Sequence, residues 1–381
     1  MAAPVAIVGA GPTGLAVAAV LRGEGVDSVV LERADEIGAS WRARYERLHL
    51  HTVRWLSGLP GLPIDRAAGK WVAKDAYADY LVAYARHHRI EPELGVEVTR
   101  IDRTGDAWTL HTAAGDREAR FVVVASGFSK EPFVPAWPGL DRADGRVVHS
   151  ADYVDPEPFR GKDVLVVGSG NSGAEIAVDL ADGGAERVRL SVRTPPNIVR
   201  RDTLGIPSQL LGIALGKLPQ RSVVPISKAL RRISIPNLEP YGLPAPPDGI
   251  AQFARTGTVP ILDIGFVAAV RAGRVEIVPG VERFEDGAVV LTGGARLTPD
   301  AVVAATGFRP GLEPLVAHLG VLNALGAPVV TGGATHPDTP GLYFAALAPR
   351  LSGLLREAGK DANRVARAVA VELRRQPAPI T

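Results

Sequence analysis

Six glycines fall in two sets of three with the same spacing: Gly9, Gly11 and Gly14 in VAIVGAGPTGLAVAAV, and Gly168, Gly170 and Gly173 in VLVVGSGNSGAEIAVDL. Between a strand and a helix, G-x-G-x-x-G brings a backbone up to a pyrophosphate. The first glycine permits the tight turn, the second the close approach of the ligand, and the third close packing of helix on strand. The helix start adds N–H groups and a positive dipole. Alone the pattern is a weak signal; with both strands, the helix and a charged residue in register it is strong. In the first set Val5–Val8 reads as a buried strand, Leu15–Arg22 as a helix, and Val29–Leu31 as a strand ending in Glu32 and Arg33. In the second, Val164–Val167, Ala174–Leu180 and Val188–Val192 repeat the unit, which ends in Arg193. An acid at that point suits a free ribose 2′-OH, and an arginine suits a 2′-phosphate. The first turn therefore predicts FAD and the second NADPH, the alternative for Arg193 being an ordinary exposed arginine.

Two such units imply a doubly dinucleotide-binding α/β protein with an electron path from nicotinamide to flavin. The 381 residues are enough for two or three domains. Lys plus Arg is 43 and Asp plus Glu 41, a net charge of +2 with no long basic run, so nucleic acid is not an expected partner. Gly (42) and Pro (31) are spread without a collagen or linker period. Cysteine is absent. That excludes disulfides, iron–sulfur clusters, thiolate zinc and a dithiol outlet for reduced flavin, leaving oxygen, a quinone or another protein as acceptor. It also fits a reducing compartment, and a cytoplasmic location is expected; no metal is. No Lys or Arg precedes the apolar run of residues 1–20, which reads as strand, turn and helix, not as a signal peptide. Pro207, Lys217, Pro219 and Arg221 interrupt the apolar stretch near 203–230, so no transmembrane segment is expected.

Longer segments resemble the class B flavin-containing monooxygenases, and most the short YUCCA-like branch of indole-3-pyruvate monooxygenases. GAGPTGLA and GSGNSGAE are similar to that family's FAD and NADPH turns, Asn171 and Ser172 included. VVVASGFSKEPFVPAWPGL resembles its ATG…P..P..PG segment, with Ser126 in place of Thr. The stretch written F-x-G-x-x-x-H-S-x-x-Y aligns on Gly145, His149, Ser150 and Tyr153, with Ala143 where the aromatic would stand. DAVVAATGFRP matches the second ATG segment through Thr306 and Gly307, and YERLHLHTVRWLSGLP and RTGTVPILDIG resemble the YUCCA-like branch itself.

The resemblance implies an α/β fold of two Rossmann-like, three-layer ββα domains, with an FAD domain (1–152 and 300–381) interrupted by an NADPH domain (158–298). A Pro-rich helical lid is expected around 197–250, and linkers at 153–162 and 295–308. NADPH would reduce FAD, oxygen would add to the flavin as a C4a-hydroperoxide, and one oxygen atom would pass to a small organic substrate. Nitrogen, sulfur or Baeyer–Villiger oxygenation and oxidative decarboxylation of an aryl keto acid all stay open. Asn171 would orient the nicotinamide. His51 stands where larger members carry an Asn near the flavin, so it faces the flavin or packs on a loop; His49 is a weaker competitor. Gly38 and Trp41 (EIGASW) resemble the family's G-x-x-W beside the flavin, or Trp41 is a core residue. Ser352 and Leu354, at the start of the last helix, are candidates to face the flavin ring. His149 and Ser150 read as hinge residues. Arg200, Arg201 and Lys217 could receive a carboxylate or be surface charges. The competing readings are an NAD(P)H-dependent reductase of a quinone or electron carrier, and a non-enzymatic flavin sensor. Pairing of two identical chains is left open.

Overall fold

The computed structural model describes residues 4–143, 145–203, 205–215, 218–219, 222–223, 225–226, 229, 234–246, 259–347, 350 and 352–375. Lys217 lies outside the described residues. The chain divides into two compact units. One is Met1–Ala43, Thr52–Glu131 and Arg309–Thr381; the other is Arg44–His51 and Pro132–Phe308.

The first unit opens with β1 (Val5–Val8), α1 (Pro12–Gly23), β2 (Ser28–Leu31), α2 (Ala39–Arg42) and α3 (Lys74–His87). It continues through β3 (Val98–Thr104), β4 (Ala107–Thr112), β5 (Arg117–Ala119) and β6 (Phe121–Val124). The second unit contains β7 (Val147–His149), β8 (Asp163–Val167), α4 (Asn171–Asp182), β9 (Arg187–Val192), β10 (Ile198–Arg200), α5 (Ser208–Leu215), β11 (Ile261–Asp263) and α6 (Phe266–Arg271). After these come β12 (Glu276–Pro279), β13 (Val281–Glu285), β14 (Ala288–Leu291), β15 (Arg296–Leu297) and β16 (Ala301–Ala304). The first unit is completed by β17 (Leu342–Phe344) and α7 (Leu354–Arg375).

In the first unit a parallel sheet runs β2-β1-β6-β17, with Val5 opposite both Ser28 and Phe121. VAIV is buried throughout because this sheet is covered on both faces. Ala6 and Val8 join Ile101, Trp108 and Leu110 of the antiparallel β3-β4-β5 meander, while Ile7 turns toward α1. Alternation along one strand thus builds two faces. On the helix side α7 packs against α1, burying Ala358, Ala362, Val365, Ala366 and Val369 at helical spacing.

The second unit repeats the plan with a parallel sheet β12-β9-β8-β16-β7. Val164 and Val166 pack with Ile176 and Leu180 of α4, whereas Leu165 and Val167 pack with Phe284, Val289 and Leu291 of the β13-β14-β15 meander. Each unit is therefore a three-layer α/β body, as expected.

The compact units change over at 131/132 and at 308/309, whereas the sequence reading ends the first FAD segment at 152 and resumes it at 300. Residues 153–162, taken as a linker, lie inside the second unit. Tyr153 is 1% exposed in its core, packs on Phe159, and its hydroxyl donates to Asp179 at 2.8 Å. Residues 44–51 also belong there, a strap within the sequence of the first unit. The expected helical lid begins as strand: β10 pairs in parallel with β11, and a short hairpin joins Asp202–Thr203 to Ile206–Pro207 before α5. Ile235, Leu238 and Leu243 are buried in the second unit's core, so this stretch supplies core as well as cover.

Candidate functional site

The first glycine turn sits between β1 and α1. Gly9 has φ +105°, a conformation open to glycine, and a Cβ there would lie 2.9 Å from the Ala125 carbonyl oxygen. A Cβ on Gly14 would overlap the Gly9 carbonyl, so its absence lets α1 close onto the turn. Gly11 differs: a Cβ there would meet nothing within 4 Å. It is also the N-cap of α1, and no side chain caps the first-turn N–H groups of that helix. These are the separate demands the sequence pattern predicts. Glu32 is committed locally: its two oxygens accept from the Ala10 N–H (2.7 Å) and the Ala34 N–H (3.0 Å). It thus ties the turn to the end of β2, with lone pairs remaining for a diol. Arg33 is exposed.

Ser126, one residue past the Ala125 that crowds Gly9, has a buried Oγ with no hydrogen-bond partner. A buried hydroxyl left unpaired is costly, and one beside a glycine cradle fits a bound polar group. Gly38 (φ +87°) caps α2 against Ala78, and Trp41 is only part-buried, its ring 4.7 Å from Tyr77 in an edge-on pair. Trp41 is therefore not a core tryptophan. The Ser352 hydroxyl donates to Glu357 at 2.7 Å across the first turn of α7; Leu354 opens that helix and is part-buried. The cradle, the uncapped helix and the orphaned hydroxyl suit FAD.

The second turn repeats the geometry. Gly168 (φ +118°) approaches the Ala305 carbonyl, a Cβ on Gly173 would overlap the Gly168 carbonyl, and one on Gly170 would meet nothing within 4 Å. Gly170 caps α4 without a side-chain bond. Arg193 is exposed just past β9 and makes no hydrogen bond or ion pair with a described residue, as a phosphate ligand awaiting its anion would. This set suits NADPH. Asn171 is otherwise employed: its amide donates to the Pro260 carbonyl (3.1 Å) and accepts from the Leu262 N–H (2.7 Å), clamping the start of α4 to β11. The Thr306 hydroxyl donates to Phe133 O at 2.5 Å. The Gly307 carbonyl accepts from His149 Nε2 at 3.0 Å, while His149 Nδ1 accepts from the Ala151 N–H. Burial lowers the His149 pKa, which suits that neutral ring, and Ser150 is buried beside it. These contacts all lie within the second unit.

His51 is neither a free loop histidine nor unpartnered. Its Nε2 lies 2.5 Å from Oε1 of Glu175, which is 2% exposed, and Tyr45 donates to Oε2 at 2.9 Å. Ser172 hydrogen-bonds Tyr45, whose burial, with the charge of Glu175, pushes its pKa well up and keeps it a phenol. His49 is exposed and bonds the Arg47 carbonyl. Arg200 donates to Ser234 O at 2.9 Å, and the half-buried Arg201 has its pKa lowered by burial against the opposing charge of Glu175. The sequence reading missed Glu175 and Tyr45. The signal was present: Glu175 lies on the buried face of α4, beside Ile176 and one turn before Val178. Among the described residues no group of acids and histidines could hold a metal ion, and no helix is long and apolar enough to cross a membrane.

Residues 6–204 match the family model described as pyridine nucleotide-disulphide oxidoreductase. A probable indole-3-pyruvate monooxygenase of Arabidopsis thaliana, YUCCA9, is 39% identical over 80% of this chain and 74% of its own length. The indole-3-pyruvate monooxygenase YUCCA1 of Oryza sativa is 34% identical over 83% and 79%. Among solved structures, a variant flavin monooxygenase from Stenotrophomonas maltophilia is 25% identical with a TM-score of 0.75, covering 97% of this chain and 99% of that one. Bacillithiol disulfide reductase from Staphylococcus aureus shares the fold (TM-score 0.72, 17% identity, covering 99% and 100%). This chain, with no cysteine, has no thiol of its own to carry electrons.

Proposed function

The chain belongs to the YUCCA-like branch of the flavin-containing monooxygenases, and from that membership we propose that its substrate is a small aryl keto acid such as indole-3-pyruvate, oxidatively decarboxylated. It is an FAD- and NADPH-dependent monooxygenase acting on a small molecule with O2. FAD supplies hydride acceptance and oxygen activation. Everything else is the work of the chain's own residues.

The observation that carries the assignment of cofactors to sites is the duplicated glycine turn with different ends: Glu32 after the first, and after the second an exposed Arg193 with no partner among the described residues. FAD is assigned to the first unit, where Gly11 and the start of α1 receive the pyrophosphate and Ser126 gains the partner it lacks. NADPH is assigned to the second, where Gly170, Ser172 and the start of α4 receive its pyrophosphate and Arg193 its 2′-phosphate. Asn171 serves by fixing β11 against that helix, not by a free amide. Trp41, Gly38, Thr306, Gly307, Ser352 and Leu354 bound these sites. A cytoplasmic setting goes with this reading on composition alone, since the absence of cysteine fits a reducing compartment.

The test is to reduce the FAD-loaded protein anaerobically with NADPH, then admit ¹⁸O₂ with indole-3-pyruvate. The expected result is indole-3-acetate bearing one ¹⁸O. Full flavin reoxidation with no labelled organic product from this or other aryl keto acids would overturn the substrate class. Rapid quinone reduction with indifference to oxygen would point to a reductase instead.

A further inference from the structure

The strap 44–51 is held to the second unit by side chains that converge on α4. Tyr45 is 3% exposed in that unit's core, Arg47 pairs with Asp182 at 2.7 Å, and the Glu46 N–H donates to the Val154 carbonyl. At its end His51 reaches Glu175, one turn along α4 from Asn171. A carboxyl group 2% exposed has lost its hydration and needs its oxygens satisfied within the chain, and here both are met, by His51 and Tyr45. Tyr45 donates to one oxygen of Glu175 and His51 Nε2 meets the other; where Glu175 accepts at both, Nε2 is the ring nitrogen that carries the proton. His51 Nδ1 makes no bond with a described residue, and the side chain is 28% exposed. The ring is thus fixed at one nitrogen and open at the other, the arrangement by which a buried carboxylate sets a histidine's tautomer in acid–base sites.

We propose that Glu175 is a positioning residue for His51: it fixes the ring so that Nδ1 presents a lone pair to a reactant bound beside α4 in the second unit and exchanges one proton with it. The imidazolium formed keeps its Nε2–H bond to Glu175, and the same proton leaves from Nδ1, so the cycle closes without another acid or base. Because Glu175 stands on the helix whose first turn is assigned to NADPH, the ring is registered to the nucleotide and not to its own loop.

The inference rests on the monooxygenase reading, and its test separates the two. In ¹⁵N-histidine-labelled protein, without turnover, His51 should show one protonated nitrogen, Nε2, and one bare nitrogen, Nδ1. Tyr45→Phe, which spares the His51 bond, should preserve that pattern; Glu175→Ala should replace it by an average of both tautomers. With NADPH and indole-3-pyruvate, Glu175→Gln should lower kcat by about tenfold or more, the scale of a lost acid–base contribution, with the NADPH KM within about twofold. Tautomer averaging at His51 in the unaltered protein would overturn the proposal. So would a Glu175→Gln enzyme with unchanged kcat and a raised NADPH KM, which would mean that Glu175 merely supports the nucleotide helix. If the unaltered protein shows the expected ring but makes no labelled product, the substrate reading fails and the positioning stands.

Discussion

Among the described residues neither the Ser126 hydroxyl nor Arg193 has a polar partner; the Ser126 Oγ is buried and Arg193 exposed, and the difference sets what their removal should do. The Ser126 hydroxyl is desolvated on folding with nothing to receive it. Ser126→Ala should therefore stabilise the FAD-free protein by about 1 kcal/mol, while weakening FAD binding. Thermal melts with and without FAD check it; destabilisation of the FAD-free form would mean the hydroxyl is already satisfied. Arg193 is solvated, so its loss should leave stability unchanged. Arg193→Ala should raise the NADPH KM about tenfold, the scale of a charge-assisted phosphate contact, and shift preference toward NADH. An NADPH KM unchanged from that of the unaltered protein would remove Arg193 from the site. The positions of both residues were legible in the sequence, Arg193 from its register after β9 and Ser126 from the family segment. The commitments of Asn171 and Glu32 were not, because a motif records which residue stands at a position and not which backbone groups it meets in the fold.

At the scale of elements, the glycine turns make a prediction in which neighbouring glycines should behave oppositely. Gly14→Ala puts a methyl into the Gly9 carbonyl, backbone against backbone, and should destabilise the protein by about 3 kcal/mol or more. Gly11→Ala meets only open space at φ −75° and should fold normally, yet bind FAD far more weakly because the methyl fills the pyrophosphate's place. Denaturant melts and FAD titration separate the two; normal FAD affinity in Gly11→Ala would show that the cradle is not used. The start of α7 carries a pH dependence. Burial raises the Glu357 pKa, but hydrogen bonds from Lys360 and Ser352, with the charge of Arg356, outweigh it and hold the carboxyl below its ordinary value. A depressed folded-state pKa gives stability that is present above the unfolded pKa, about 4.3, and is lost as pH falls through the folded value. Glu357→Gln should accordingly melt lower than the parent at pH 7, and the two should converge as pH falls below about 4. A difference independent of pH would assign the effect to packing. Strands and helices of both dinucleotide units were legible to within a few residues, because runs buried on both faces and helices opened by glycine are written in local sequence. In the stretch after Arg193 the strand β10 was not legible, because it is made by pairing with β11 some sixty residues away, and such partnership leaves no local period.

Over the whole molecule, the feature least visible in the sequence is the strap. Residues 44–51 lie between α2 and α3 in sequence, yet Tyr45, Glu46, Arg47 and His51 each bond within the second unit. Charge and aromatic pairs from distant segments carry no periodicity that would announce them, and the partners, Glu175 and Asp182, stand more than 120 residues away on α4. The consequence can be read by hydrogen exchange. If the strap is structurally part of the nucleotide unit, NADP⁺ added to the FAD-loaded protein should slow exchange at the amides of 44–51 together with those of 171–182. The Glu46 N–H, which donates to Val154, and the Leu48 N–H, which donates to Tyr45, should follow α4 in degree of protection. The flanking amides of 52–58 belong to the other unit and should not follow it. Arg47→Ala, removing the pair with Asp182, should weaken the shared response at the strap while leaving protection of α4 in place. Protection of 171–182 with 44–51 unmoved would mean that the strap is a passive tether, and that His51 takes no register from the nucleotide helix.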